Sequence, residues 1–239
     1  MLDGSEQGLI SFTDFGLQFQ SVDSIGVCMC LFRFPARKFF RYDLEQDRQV
    51  KFKLRPLYNF VKKFHSTSMA FTCNNNRITL AVTSNFDKGT SKQNLYHIDN
   101  THDNTVYYAL PSSILDDSAC FRLNPEEFTN IVLDLAVGGG YINVSMQGTR
   151  TEFKTIFETG TIVTSCNPNP DRQEYEIIRP AVGSICNTYL TKFFKQASNL
   201  SSSCRQLCIY IHKDGPIVLQ FDMNKELCQI FISIAPVNK

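Results

Sequence analysis

Nine cysteines and four histidines hold most of this chain's potential for chemistry, and their spacing realises little of it. No Cys-x-x-Cys occurs, and His65, His97, His102 and His212 stand at no zinc-finger distance from a cysteine, so no metal and no other cofactor is expected. Cys28 and Cys30 lie two apart in an apolar run; on a strand they share a face and pack as small apolar groups. An odd number of cysteines, with no apolar leader, reads as the reduced thiols of a cytosolic or nuclear protein. A metal-dependent nuclease needs acids that converge, and Asp116–Asp117, Glu126–Glu127 and Asp134 show no recognisable spacing. Gly138–Gly140 follows a helical stretch instead of opening one, which removes it as a phosphate cradle. The remaining candidates are cations: Arg55, Lys62 and Lys63 in LRPLYNFVKKFH, Lys192 and Lys195 in TYLTKFFKQASNL. Each set stands opposite an apolar stripe, which suits sequence-blind attraction to phosphates. The same pattern belongs to any amphipathic helix that keeps lysine in water.

These elements sit in a chain of ordinary globular composition. Its 239 residues are 43% apolar and 20% charged, with 20 Phe and no Trp, so Phe fills much of the core. A net charge of +1 gives no global pull toward nucleic acid or membrane, so any DNA contact must come from local charge. No apolar run reaches the roughly 18 residues of a membrane span.

Four stretches alternate apolar and polar residues around a polar turn and predict hairpins. They turn at Asp14–Gly16, Asn74–Asn76, Gln147–Thr149 and Lys213–Gly215, the last with an Asp-Gly pair. A helix is predicted ahead of three of them. In the first, Leu54, Leu57, Val61 and Phe64 form the stripe, and Pro56 suits the first turn. In the second, NPEEFTNIVLDLA, Asn124 is the N-cap, Pro125 the first helical residue, and Phe128, Ile131, Val132 and Leu135 the buried side. In the third, Leu190, Phe193, Phe194 and Ala197 point one way, and Thr188, Lys192, Lys195 and Asn199 the other. The first hairpin has no helix ahead of it: either the chain begins late relative to its ancestor, or the first copy lost its helix. Phe39 and Phe40 read as core or edge packing, since neighbours on a strand point to opposite faces. CNPNPDRQEY (166–175) reads as a surface loop.

This order of units resembles the eukaryotic DNA sliding clamps. GLQFQSVDSIGVCM is similar to the strand pair of proliferating cell nuclear antigen with the pattern Gly-x-x-(Leu/Phe)-Gln-(Ser/Ala)-x-Asp-Ser; FRLNPEEFTNIVLDLA resembles the opening of its second domain; TYLTKFFKQASNLSSS and ISIAP resemble its last helix and strand. FRFPARKFFRY and KGTSKQNLYHID followed by TVYYALPSS resemble the rad-nine type subunit of the nine-one-one checkpoint clamp. The resemblance implies an α+β fold of two similar clamp domains, with helices on a concave face and sheets outside. Residues 1–98 would form the first, lacking its first strand and helix, 99–119 the linker, and 120–239 the second. The family's disordered C-terminal tail would also be lacking.

The implied function is that of a non-enzymatic subunit of a nuclear ring that encircles double-stranded DNA in checkpoint signalling and repair. Its partners would be two sister clamp subunits, an ATP-dependent clamp loader, and repair and checkpoint proteins, with no membrane. Arg55, Lys62, Lys63, Lys192 and Lys195 would face the DNA. Val22, Gly26, Val27, Tyr107, Tyr108, Leu110, Ile114, Pro216, Ala235 and Pro236 would line a docking pocket for clients, or the linker residues among them would only tack the linker to the body. The predicted outer face of the second helix, Glu126, Asn130, Leu133 and Asp134, has no cation; a heterotrimer can cover that gap with other subunits, whereas a homotrimer repeats it. A homotrimeric replication clamp and a metal-dependent 3'-5' exonuclease are the alternative readings.

Overall fold

The computed structural model describes residues 7–63, 68–74, 77–85, 91–99, 112–168, 175–223 and 228–237. The chain opens with three strands, β1 (Gln7–Thr13), β2 (Gly16–Val22) and β3 (Cys28–Pro35). Next come β4 (Arg48–Lys53), α1 (Leu54–Val61), β5 (Ser68–Asn74), β6 (Arg77–Asn85) and β7 (Ser91–Asp99). After a short helix, α2 (Ser112–Asp117), follow β8 (Ala119–Leu123), α3 (Pro125–Leu135), β9 (Tyr141–Gly148), β10 (Arg150–Phe157), β11 (Gly160–Cys166) and β12 (Tyr175–Arg179). The chain closes with β13 (Ala181–Leu190), α4 (Thr191–Ser198), β14 (Cys204–Ile211), β15 (Ile217–Met223) and β16 (Gln229–Ile234). The fold is α+β, and its strand pairings are antiparallel.

One nine-stranded sheet runs through both halves of the chain in the order β12-β8-β14-β15-β16-β3-β2-β1-β4; β9, β10, β11 and β13 form a second sheet, and β5, β6 and β7 a third. The halves meet where β16 pairs with β3, from Gln229↔Arg33 to Ile234↔Cys28. Alternation sorts the side chains of the large sheet. Cys28, Cys30, Ile230, Ile232, Ile234, Leu219 and Phe221 face α3 and α4 in the larger core. Leu17, Phe19, Phe34 and Phe52 face α1 in a smaller one. Leu31, Val218 and Phe231 point to the opposite face, where Ile114 and Leu115 of α2 cover them.

Local chemistry accounts for the elements that position these faces. In the β1–β2 hairpin Gly16 has φ +133, and a Cβ there would lie 2.1 Å from the Phe34 carbonyl oxygen, so the crossing with β3 requires glycine. The β14–β15 turn uses Asp214 at φ 54, next to Gly215. Asn124 caps α3, its Oδ1 accepting from the N–H of Glu126 (2.8 Å) and of Glu127 (3.4 Å). Pro125 needs no hydrogen bond at the first helical position, and Glu126 and Glu127 meet the positive end of the helix dipole. Phe128, Ile131, Val132 and Leu135 are buried, as their spacing predicts.

Two helix boundaries and the placement of one Phe pair differ from the sequence reading. α1 ends at Val61, so Lys62 and Lys63 follow the helix; Phe64 lies outside the described residues. α4 starts only at Thr191: Thr188 and Leu190, placed on a helix by periodicity, are held extended in β13 opposite Asn143 and Tyr141 of β9. Pairing with a neighbouring strand overrides local helix preference there. Phe39 and Phe40 are not neighbours on a strand. They follow a 3₁₀ turn (Ala36–Lys38); Phe39 packs on the smaller core and Phe40 stands fully in solvent. The stretch from 99 to 119, read as a linker, contains α2 and the start of β8, and residues 100–111 lie outside the described residues. The same holds for 169–174 of the expected surface loop.

Candidate nucleic-acid interface

The cations are positioned by what their helices bury. α4 puts Phe193, Phe194 and Ala197 against the large sheet and α3, with the Phe194 ring 6.3 Å from that of Phe128 and 6.1 Å from that of Tyr189. Lys192 and Lys195 are therefore left exposed. The Lys192 ammonium lies 4.6 Å from the centroid of the Phe193 ring, which steers the head group without neutralising it. On α1, Leu54 and Leu57 pack toward Phe19 and Phe34 of the sheet and Arg55 is exposed, as are Lys62 and Lys63 just beyond the helix. The Lys62 ammonium sits 5.5 Å from the Tyr58 ring.

Cross-strand register puts the helices on a common face. Phe32 lies opposite Ile230 and Cys30 opposite Ile232, so the face of β2 and β3 under α1 continues into the face of β16 under α3 and α4. Arg55, Lys192 and Lys195 are exposed on helices that cover one face of the nine-stranded sheet, and Lys62 and Lys63 are exposed directly after α1. α3 contrasts with its neighbours: Glu126, Asn130, Leu133 and Asp134 are exposed there, without a cation. Lys53, exposed at the N-cap of α1, is a further cation that the sequence reading passed over because it lies outside the helical repeat. Asp116 and Asp117 of α2 belong to the opposite face from Glu126, Glu127 and Asp134 of α3, so the acids do not converge. Among the described residues, no three His, Cys, Asp or Glu side chains group as metal ligands.

Part of the predicted docking set is brought together at one end of the strands. The Ala235 N–H donates to the Val27 carbonyl at 2.8 Å. Ile217 lies opposite Ile234, and Ile234 opposite Cys28, so Pro216, Ala235 and Val27 are neighbours on adjacent chain segments. Asp23, 4% exposed, holds the bend before Val27: one carboxylate oxygen accepts from the N–H of Val27 and of Cys28, each at 2.7 Å. Gly26 completes that bend at φ +71. Val22 pairs with Met29 in the ladder, and Met29 packs in the cluster that holds Ile114 on the opposite face. Val27 packs instead against the core under α3 and α4, so the two sets belong to opposite faces. Tyr107, Tyr108 and Leu110 lie outside the described residues, and Pro236 follows Ala235 beyond the last strand.

Burial argues against nucleophilic chemistry at four of the described cysteines. Burial pushes the Cys28 thiol far up and that of Cys30 up to about 12, and also raises Cys120 to about 12 and Cys166 to about 11. These groups stay protonated at neutral pH. A large apolar cavity of about 630 Å³ opens between α1, β2, β3 and the end of α4, and Gln196 and Leu200 border it. Sequence patterning identified several of its lining residues as core but could not show that they remain half covered. No family model matches the chain, and no curated protein matches it either.

Proposed function

We propose that this chain is a non-enzymatic subunit of a ring-shaped DNA clamp, of the rad-nine type found in the heterotrimeric nine-one-one complex. The observation that carries the reading is the common face: Arg55, Lys192 and Lys195 project from helices that cover one side of a sheet spanning both halves, and Lys62 and Lys63 follow directly on α1. A surface of this kind attracts phosphates without reading bases, which is what sliding requires.

The order of elements supports the reading. Strand, helix and three strands follow one another as β4-α1-β5-β6-β7, as β8-α3-β9-β10-β11 and as β13-α4-β14-β15-β16, and β1-β2-β3 repeat the last three strands of the unit. β7 ends one small sheet and β11 ends the other. Pairing one chain's β7 with the next chain's β11 joins two different surfaces, and such head-to-tail contacts close into rings. The cation-free outer side of α3 supports a heterotrimer, in which sister subunits supply charge elsewhere on the inner wall. An ATP-dependent loader would open the ring, in the nucleus, and the strand ends around Val27, Pro216 and Ala235 would contribute to docking of repair and checkpoint proteins.

The test is assembly. Mixed with candidate sister clamp subunits, the chain should elute as one complex with one copy of each, and should stay on circular but not on linearised DNA after loading. Three copies of this 27.2 kDa chain alone would point to a homotrimeric replication clamp. A chain that joins neither assembly refutes the clamp reading.

A further inference from the structure

The β1–β2 turn and the loop after β3 form one projecting knot. The Ala36 N–H donates to the Phe15 carbonyl at 2.9 Å, the Phe39 N–H to the Ala36 carbonyl at 3.1 Å, and the Tyr42 hydroxyl to the Thr13 carbonyl at 2.8 Å. Two rings remain outside the knot: Phe15 is 86% exposed and Phe40 is fully exposed. The apolar cavity of about 630 Å³ lies beside it, because Phe34 and Phe39 line that cavity and Phe40 is the next residue. Met69 on the cavity wall is 47% exposed, although it faces inward opposite the fully buried Val82. α1 buries none of its residues. Among the described residues, an uncovered apolar groove thus adjoins two uncovered rings, and such patches mark contact surfaces.

The charges on the knot select the occupant. Arg37, Lys38 and Arg41 are matched by Asp43, Glu45 and Asp47, three of each sign, and Arg41 pairs with Asp43. A balanced loop offers little attraction to the phosphates of a nucleic acid or to an anionic membrane. It does fit a second copy of itself. Arg37 and Lys38 precede Phe40, and the exposed Glu45 and Asp47 follow it. A two-fold axis beside the loop sets the cations of one copy against the acids of the other, a polar rim around apolar rings.

We infer that two copies of this chain pair about such an axis, each copy's Phe40, with Phe15 beside it, entering the other's groove. Ring and groove lie side by side on one molecule, which is the self-complementary arrangement that a two-fold interface requires. The bonds of Phe39 and Tyr42 bracket Phe40 and hold it away from its own groove. Four phenyl rings of about 150–250 Å² each, with an equal area of groove wall, remove about 1,200–2,000 Å² from water, the size of a stable interface. The groove opens on the sheet face that α1 and α4 border, where the cations assigned to DNA stand. A paired chain has that face blocked, so pairing and DNA binding exclude each other. This exclusion rests on the clamp reading; the pairing needs only the knot and the groove.

Sedimentation equilibrium of the chain alone should show the mass rise with concentration from 27.2 kDa to twice that value and no further. Phe40→Asp removes a side chain that lies in water, so it should melt as the parent does yet weaken pairing by about a hundredfold or more. Met69→Glu should weaken pairing from the groove side. With p-benzoyl-L-phenylalanine in place of Phe40, irradiation should join two chains through α1 or β5 of the partner copy. A mass of 27.2 kDa at every concentration overturns the inference. So does a dimer that Phe40→Asp leaves intact, an open series of larger oligomers, or a photo-cross-link within one chain. A dimer that binds a DNA duplex as tightly as the monomer overturns the exclusion. The mass and cross-linking measurements contain no DNA, so the pairing and the clamp reading fail separately.

Discussion

Reversing the charge of Lys62, Lys63, Lys192 and Lys195 together tests the interface most directly. All four are exposed, and so is Arg55, so up to five phosphates can be neutralised per chain. Counterion release then predicts that log K falls against log [salt] with a slope of about −4.5, and affinity drops about 500-fold between roughly 50 and 200 mM salt. Of these five cations only Arg55 remains in K62E/K63E/K192E/K195E, so their share of the slope shrinks to about −0.9 and of the drop to about fourfold. Folding is touched little. The ring contacts of Lys62 and Lys192 are worth about 0.5–1 kcal/mol each at exposed sites, and no buried side chain changes. Fluorescence anisotropy with a short duplex across a salt series, alongside a thermal melt, reads both quantities. A variant that melts normally and keeps the original slope refutes the assignment of these helices to DNA.

Other perturbations separate parts of the fold. Asn124→Ala removes the only side-chain cap among the described helices with cap contacts and should cost about 1 kcal/mol in urea unfolding. Phe194→Ala empties a fully buried site and should cost about 3–5 kcal/mol, whereas Leu57→Ala, half-buried at the open groove, should cost less than 2 kcal/mol; equal losses would show that the groove is closed. Alkaline pH should destabilise the protein, because burial raises the thiols of Cys30, Cys120 and Cys166 from 9.0 to about 12, 12 and 11, and the Tyr175 hydroxyl from 10.0 to about 12. Folding keeps protons that the unfolded chain releases, so this stability is complete below about pH 9 and fades as pH climbs toward 12; urea midpoints at pH 8 and 10.5 check the sign. Brief alkylation at neutral pH should label Cys186, exposed on β13, ahead of Cys28, Cys30, Cys120 and Cys208.

What the sequence determined by itself is local. The Asp14–Gly16 and Asp214–Gly215 turns, the Asn124–Pro125 helix start and the stripe Phe128, Ile131, Val132 and Leu135 were legible because a turn, a cap or a helical face involves residues within one or two turns of chain. The five cations could be named for the same reason, since they stand opposite an apolar stripe on their own segment. Tertiary structure alone decided that Thr188 and Leu190 extend β13, because β9, over forty residues away, holds them there. It also decided that β16 closes on β3, that α2 covers the face away from α3, and that the groove beside α1 stays open. Pairing and burial between segments some two hundred residues apart depend on how whole faces fit, and no local periodicity encodes that fit.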